Sequence, residues 1–167
     1  MRMDAVDRIL DQWRVARPDL YVGAMGPIGR LSRVFHFNAR TMEKTFERYG
    51  LNAAGFDVLA TLRRAPPPHA LSPGDLMSSM MITSGTMTNR IEQLVKKGLV
   101  SRTSDPNDGR RAAVKLTEKG FETIETAILE HVATQTTLLE ALTEAEVAQL
   151  DAILRKLLQS SASKDGP

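Results

Sequence analysis

The stretch Leu71–Gly120, LSPGDLMSSMMITSGTMTNRIEQLVKKGLVSRTSDPNDGRRAAVKLTEKG, decides the fold, because it reads as a short helix, a turn, a second helix and a basic two-stranded hairpin. Ser72, Pro73 and Asp75 start the first helix with a hydroxyl cap, a proline at the first helical position and a carboxylate near the positive helix end. The second helix is expected to begin near Thr83 or Ser84 and to stop at Gly98. Within it Met87, Ile91, Leu94 and Val95 recur at helical spacing as one apolar stripe, leaving Gly85, Thr86, Asn89, Gln93 and Lys96 opposite. Such a helix packs on one face and offers small polar groups on the other. Those groups suit a major groove roughly 12 Å wide, where Asn and Gln pair with adenine edges and Thr touches a thymine methyl. Alone, the pattern equally describes an ordinary amphipathic surface helix.

The sequel tips the balance. Leu99–Thr103 and Ala112–Leu116 alternate as strands do, and DPNDGRR between them supplies the residues that tolerate turn dihedrals. The hairpin tip therefore carries Arg110 and Arg111, whose guanidinium groups suit a minor groove with strong negative potential. The candidate DNA contacts are Ser84, Thr86, Thr88, Asn89, Arg90, Gln93 and Lys96 on the helix, with Arg110 and Arg111 on the wing. A calcium loop through Asp105, Asn107 and Gly109 is set aside, because the glycine comes one residue early and Leu116 stands where a glutamate is required. No cysteine pair or close histidine pair offers zinc ligands.

Composition sets the frame. With 167 residues and 42% hydrophobic content, the chain is long enough for one core and short for two. The absence of cysteine excludes disulfides, and no uninterrupted apolar run with a cleavage site opens the chain, so a soluble cytoplasmic protein without membrane attachment is expected. The net charge of +2 hides a segregation. Arg90, Lys96, Lys97, Arg102, Arg110, Arg111, Lys115 and Lys119 crowd the reader segment, whereas Glu122, Glu125, Glu130, Glu140, Glu144, Glu146 and Asp151 follow with no Lys or Arg until Arg155. A molecule with a basic and an acidic pole orients itself on a polyanion, and its attraction to phosphates falls as salt rises.

The rest reads as helix: Asp4–Arg17, Pro27–Tyr49, Ala53–Arg64 up to the breaker Ala65–Pro68, Thr117–Leu142, and Thr143–Gln159, where Thr143 and Glu146 form a capping-box pattern. The terminal helices carry Ile124, Ile128, Val132, Leu138, Leu139 and Leu142, then Val147, Leu150, Ile153, Leu154, Leu157 and Leu158, more than one helix pair buries. Pairing with a second copy removes this surface from water at roughly 25 cal/mol per Å², and the other reading is packing on the N-terminal helices. The expected fold is mainly α with a small β hairpin, in one domain over 1–167. A winged helix-turn-helix lobe spans 51–120, a helical dimerisation region 1–50 and 121–159, and a flexible tail 160–167.

The order of helices, the SGTMTNRIEQLVKKGLV helix and the wing DPNDGRRAAVKLTEKG resemble the MarR family of bacterial winged-helix regulators over nearly the whole chain. Gly109 departs from the family wing, where many members carry an arginine, and leaves Asp108 and Arg110 as the matching pair. The resemblance implies a homodimeric DNA-binding regulator, usually a repressor, released from a pseudo-palindromic operator by a small phenolic, urate-like or carboxylate effector. The leading LDQWRVARPDL, the phrase GFDVLATLRR and Arg90 further resemble the urate-responsive branch and its relatives that answer to aconitate and citrate. That likeness implies a ligand site of Trp13, Asp57 and Arg90, to which His36 is a candidate addition.

Independent physical readings of these residues stay open. Arg90 lies roughly 80° from the centre of its helix's apolar face, a flank position that reaches either inward or toward DNA. Trp13 either packs in the core or stacks on a planar ligand, Asp57 and Arg90 either bind a ligand or pair with each other, and His36 either lines the cleft or packs. His69 and His131 are expected to be solvated. No Ser, His and acid set, phosphate-cradling glycine loop or cofactor motif supports an enzyme. The competing function is a helical dimeric module that binds another protein and has no ligand response.

Overall fold

The computed structural model describes residues 3–80, 84–105 and 108–162, without the side chains of 84, 104, 105, 108–112 and 162. Helix α1 (Ala5–Ala16) starts at Asp4, whose carboxylate accepts from the Val6 and Asp7 amides while Asp7 caps in return. Helix α2 (Met25–Glu47) ends ahead of Gly50, at φ 65, and α3 (Ala53–Arg64) is capped by Asn52 accepting from the Gly55 amide at 2.8 Å. A two-residue strand β1 (Ala70–Leu71) precedes α4 (Pro73–Met80), where Ser72 Oγ accepts from the Asp75 amide at 3.0 Å. The reader helix α5 (Ser84–Lys96) stops where Gly98, at φ 70, takes the left-handed conformation. Strands β2 (Val100–Asp105) and β3 (Asp108–Leu116) form the wing, and α6 (Glu118–Leu139) and α7 (Glu144–Ala162) complete the chain.

The sheet departs from the expected hairpin. It has three antiparallel strands in the order β1-β3-β2, with Ala70 opposite Lys115 and Leu71 opposite Val114. The chain reaches this position through His69, a non-glycine residue at φ 58 whose carbonyl accepts from the Leu116 amide at 3.3 Å. A two-residue strand has no periodicity of its own and exists only because β3 offers a partner. The wing is also longer than expected: β3 begins at Asp108 rather than Ala112, with an irregularity in β2 between Thr103 and Asp105.

One core holds the lobe. Leu59 and Leu62 of α3, Leu76 of α4, Met87, Ile91 and Leu94 of α5, Val114 of β3 and Ile124 of α6 are all buried in it, together with Phe46 of α2. The division expected at residue 120 therefore cuts through a core to which α2 and α6 both contribute. Val95, assigned to the apolar stripe, is instead 41% exposed. Gly120 is dictated by packing: a Cβ there would lie 1.8 Å from the Leu99 carbonyl oxygen, so α6 can leave β3 at this angle only over glycine.

Outside the lobe the packing is sparse. Val6, Leu10 and Val22 make a small separate cluster beneath α1, which Arg30 ties to α2 by ion pairs to Asp4 and Asp7. Helix α7 makes at most isolated contacts with the other described elements. It runs to Ala162, with Ser160 and Ser161 donating to the Leu157 carbonyl in its last turns, so the first residues of the expected tail are helical here; the remainder, 163–167, lies outside the described residues.

Candidate nucleic-acid interface and adjoining cleft

The burial of Met87, Ile91 and Leu94 turns the other side of α5 outward. Thr86, Asn89 and Gln93 are exposed along it, and they line a groove of about 580 Å³ with Asn52 and Gly55 of the α3 start. Lys97, one of the basic residues of the reader segment but not among the candidate DNA contacts, lines this groove too and donates from Nζ to the Gly50 carbonyl at 2.6 Å. Lys96 lies apart, in a recess with Lys97, Lys119, Tyr49 and Thr123. Thr88 is exposed on α5. The side chains of Ser84, Arg110 and Arg111 lie outside the described residues; the backbone places both arginines on β3.

Arg90 is half-buried and lines two spaces at once, the reader groove and a second cleft of about 320 Å³ with Asp57, Thr61, Arg64, Ser79 and Met80. This double lining is what its flank position on α5 predicts. Asp57 and Arg90 are therefore together, and the cleft adds Arg64, held by an Nη2 hydrogen bond to Thr61 Oγ1 at 3.1 Å. Burial pushes the Asp57 carboxyl above the usual carboxylate range, and the opposing pull of Arg90, then of Arg64 and His131, only partly offsets it. The two guanidiniums act on Asp57 through Coulomb attraction, with no hydrogen bond.

Trp13 and His36 do not line this cleft. Trp13 is 41% exposed on α1, which packs on α2, and His36 is exposed on α2, its Nδ1 2.7 Å from the Ser32 carbonyl and its ring edge-on to Phe35.

Two histidines expected in solvent are partly buried. His69 makes a 2.8 Å Nδ1 contact with the Ala65 carbonyl and lies 5.4 Å from the Phe121 ring, over which the Arg63 guanidinium sits at 4.9 Å. His131 packs 4.7 Å from Phe56 and 5.7 Å from Phe46, and burial holds its imidazole below the ordinary histidine range against the pull of Asp57. The cleft residues Thr61 and Arg64, and the buried position of His131 beside it, had a signal in the sequence. Thr61 and Arg64 follow Asp57 at i+4 and i+7, one helical face, and His131 extends the buried stripe of Ile124 and Ala127 by one more turn.

Among the described residues no three His, Asp or Glu side chains converge to hold a metal ion, and no helix is long and apolar enough to cross a membrane.

Known proteins show the same arrangement. Residues 49–111 match the MarR family. The chain is 39% identical over 152 residues to the HTH-type transcriptional regulator PecS of Dickeya dadantii, covering 91% of this chain and 92% of that protein. Its fold superposes on a mutant MarR from Escherichia coli complexed with operator DNA at a TM-score of 0.70 and 31% identity, covering 83% of this chain and 99% of that one. A third likeness, at a TM-score of 0.68 and 27% identity over 78% of this chain and 98% of the other, is to Bordetella bronchiseptica BpsR. The DNA binding of that protein is regulated by 6-hydroxynicotinic acid.

Proposed function

Since this chain belongs to the MarR family, we propose that it is a sequence-specific DNA-binding transcriptional regulator, a homodimeric repressor of a pseudo-palindromic operator. The observation that carries this reading is the outward face of α5. Thr86, Asn89 and Gln93 stand exposed on a helix whose opposite side is locked into the core, in a fold that a relative uses on operator DNA. Those three residues, with Ser84, Thr88, Arg90 and Lys96, read or flank the major groove, and Arg110 and Arg111 of the wing enter the minor groove. The named relatives are transcriptional regulators and not enzymes, and a protein-interaction module that ignores DNA is not favoured by them.

The dimer follows from apolar area. Leu129 and Val132 on α6, and Ile153, Leu157 and Leu158 on α7, are exposed in the single chain, and a second copy covers them. A two-fold pair sets its reader helices one DNA turn apart, roughly 34 Å. The effector is a small anionic or aromatic molecule, urate-like or tricarboxylate-like, bound at Asp57, Arg64 and Arg90. Two guanidiniums facing one carboxylate of weakened acidity favour an added anion, and BpsR shows an aromatic acid acting on a relative. Trp13 and His36 join that site only across the contact between copies.

A gel-shift titration against the gene's own upstream DNA tests the reading. Binding tighter than micromolar at moderate salt is expected, and its absence would sink the idea. In the same assay Arg110→Ala weakens binding to every sequence and lowers the salt slope, whereas Asn89→Ala changes base preference by about 1–3 kcal/mol.

A further inference from the structure

Asp57 stands between two sets of partners. On the cleft side are Arg64 and Arg90. Toward α6 is His131, whose ring lies against Phe56, the residue before Asp57, and against Phe46 of α2. These rings fix the imidazole in place, yet its Nδ1 is buried with no hydrogen-bond partner among the described residues. Native structures leave few buried polar atoms unpaired, and each such atom needs a reason. The neighbouring polar groups on the packed elements are already engaged: Glu130 accepts from Arg48 at 3.1 Å, and Thr134 shares a hydrogen bond with Thr45 at 3.1 Å. Asp57 is the described charged group that acts on the ring.

We infer that His131 is a positioning residue for Asp57: when a small anion takes the Arg64 and Arg90 guanidiniums, the Asp57 carboxylate turns from the cleft to the His131 Nδ1–H. This rests on the proposed effector response and adds to it a path out of the cleft. An anion and the Asp57 carboxylate compete for the same two cations, so the displaced carboxylate needs a second partner, and the orphaned imidazole nitrogen is one. The exchange registers occupancy on α6, which packs on both α2 and α3, while Arg90 draws α5 toward the bound anion. By linkage, whatever favours the Asp57–His131 contact also favours anion binding.

Titration of the three histidines by NMR, with His131 assigned through His131→Gln, tests this without DNA or effector. Removing both cleft cations with Arg64→Gln and Arg90→Gln leaves Asp57 no cleft-side partner. The His131 midpoint then rises by on the order of one unit, as expected for an imidazole gaining a carboxylate, and His36 and His69 stay unmoved. In an Asp57→Asn background the same two substitutions leave His131 where it was. A rise of equal size there would mean that the lost positive charges act directly on the imidazole, and it would overturn the inference, as would no rise with Asp57 present. In wild-type protein, whichever of citrate and urate calorimetry shows to bind raises the same midpoint; a bound anion that leaves it unmoved also overturns the inference. A failed gel shift with the arginine effect intact would instead strike the proposed function alone.

Discussion

The lobe from α3 to β3 and the helical region around α1 and α7 treat their apolar residues in opposite ways. In the lobe Leu59, Leu62, Leu76 and Val114 have no exposed surface, and helices and strands of one chain close over them. On α7, Leu157 and Leu158 stand 48% and 71% exposed, and the helix has almost nothing of its own chain to rest on. The lobe is thus specified by one copy of the sequence, whereas the helical region has apolar stripes that its own chain leaves exposed and that the proposed dimer would cover. Helix α6 joins the two regimes, with Ile124 and Ala127 buried in the lobe and Leu129 and Val132 turned outward.

The largest test of this contrast is truncation at matched leucines. Leu62→Ala opens a cavity in a closed core and is expected to lower unfolding stability by about 2–5 kcal/mol. Leu158→Ala, measured by denaturant unfolding at a concentration where the protein is monomeric, should change stability by no more than about 0.5 kcal/mol. Equal losses at the two sites would erase the distinction between the regions.

A smaller effect is expected from charge placed on the open face. Ile153→Asp with Leu157→Asp should weaken self-association by at least about 100-fold, which corresponds to roughly 2.7 kcal/mol, as read by sedimentation equilibrium. In the resulting monomer the α7 amides should lose hydrogen-exchange protection while those of α3 keep it, because a helix without packing is marginal in water. A variant that stays dimeric would remove α7 from the interface and return its leucines to the unexplained.

How much of this was legible beforehand follows the same divide. The α5 stripe, the Gly98 stop, the Ser72, Thr117 and Thr143 starts and the wing strands are local signals, and the structure contains each of them. Strand β1 was not visible, since its two residues are strand only through pairing with residues more than forty positions later. Val95 was misread because helical spacing places it at the edge of the stripe, and the edge is decided by whether a neighbour reaches it. In the cleft, Asp57 and Arg90 were named from a likeness and the fold brings them together, while Arg64 was overlooked despite sharing a helix face with Asp57. His131 was read as solvated because it sits among glutamates on α6; a local charge pattern cannot show that Phe46 and Phe56 close over one ring in that row.

The smallest expected effect concerns α1, which belongs to the open region yet is held within the chain. Among the described residues its buried apolar anchor is Val6, Leu10 and Val22, so the ion pairs of Arg30 with Asp4 and Asp7 contribute a visible share of its docking, although all three groups face solvent and are screened by it. The Arg30 hydrogen bond holds the Asp4 carboxyl at about 2, below its ordinary 3.8, and backbone and Arg30 hydrogen bonds lower Asp7 in the same direction. A carboxyl depressed by folding contributes stability that is complete above its unfolded value and is lost as pH falls through the folded one. Docking of α1 should therefore be unchanged from neutral pH down to about 4 and weaken between there and about 2, seen as faster hydrogen exchange in α1 relative to α3 at matched intrinsic rates. Arg30→Gln should give a similar loosening at neutral pH and reduce the acid dependence to the part that the Asp4–Asp7 capping box supplies. If α1 keeps its protection in both experiments, the three apolar residues hold it unaided, and α1 belongs with the closed lobe rather than with α7.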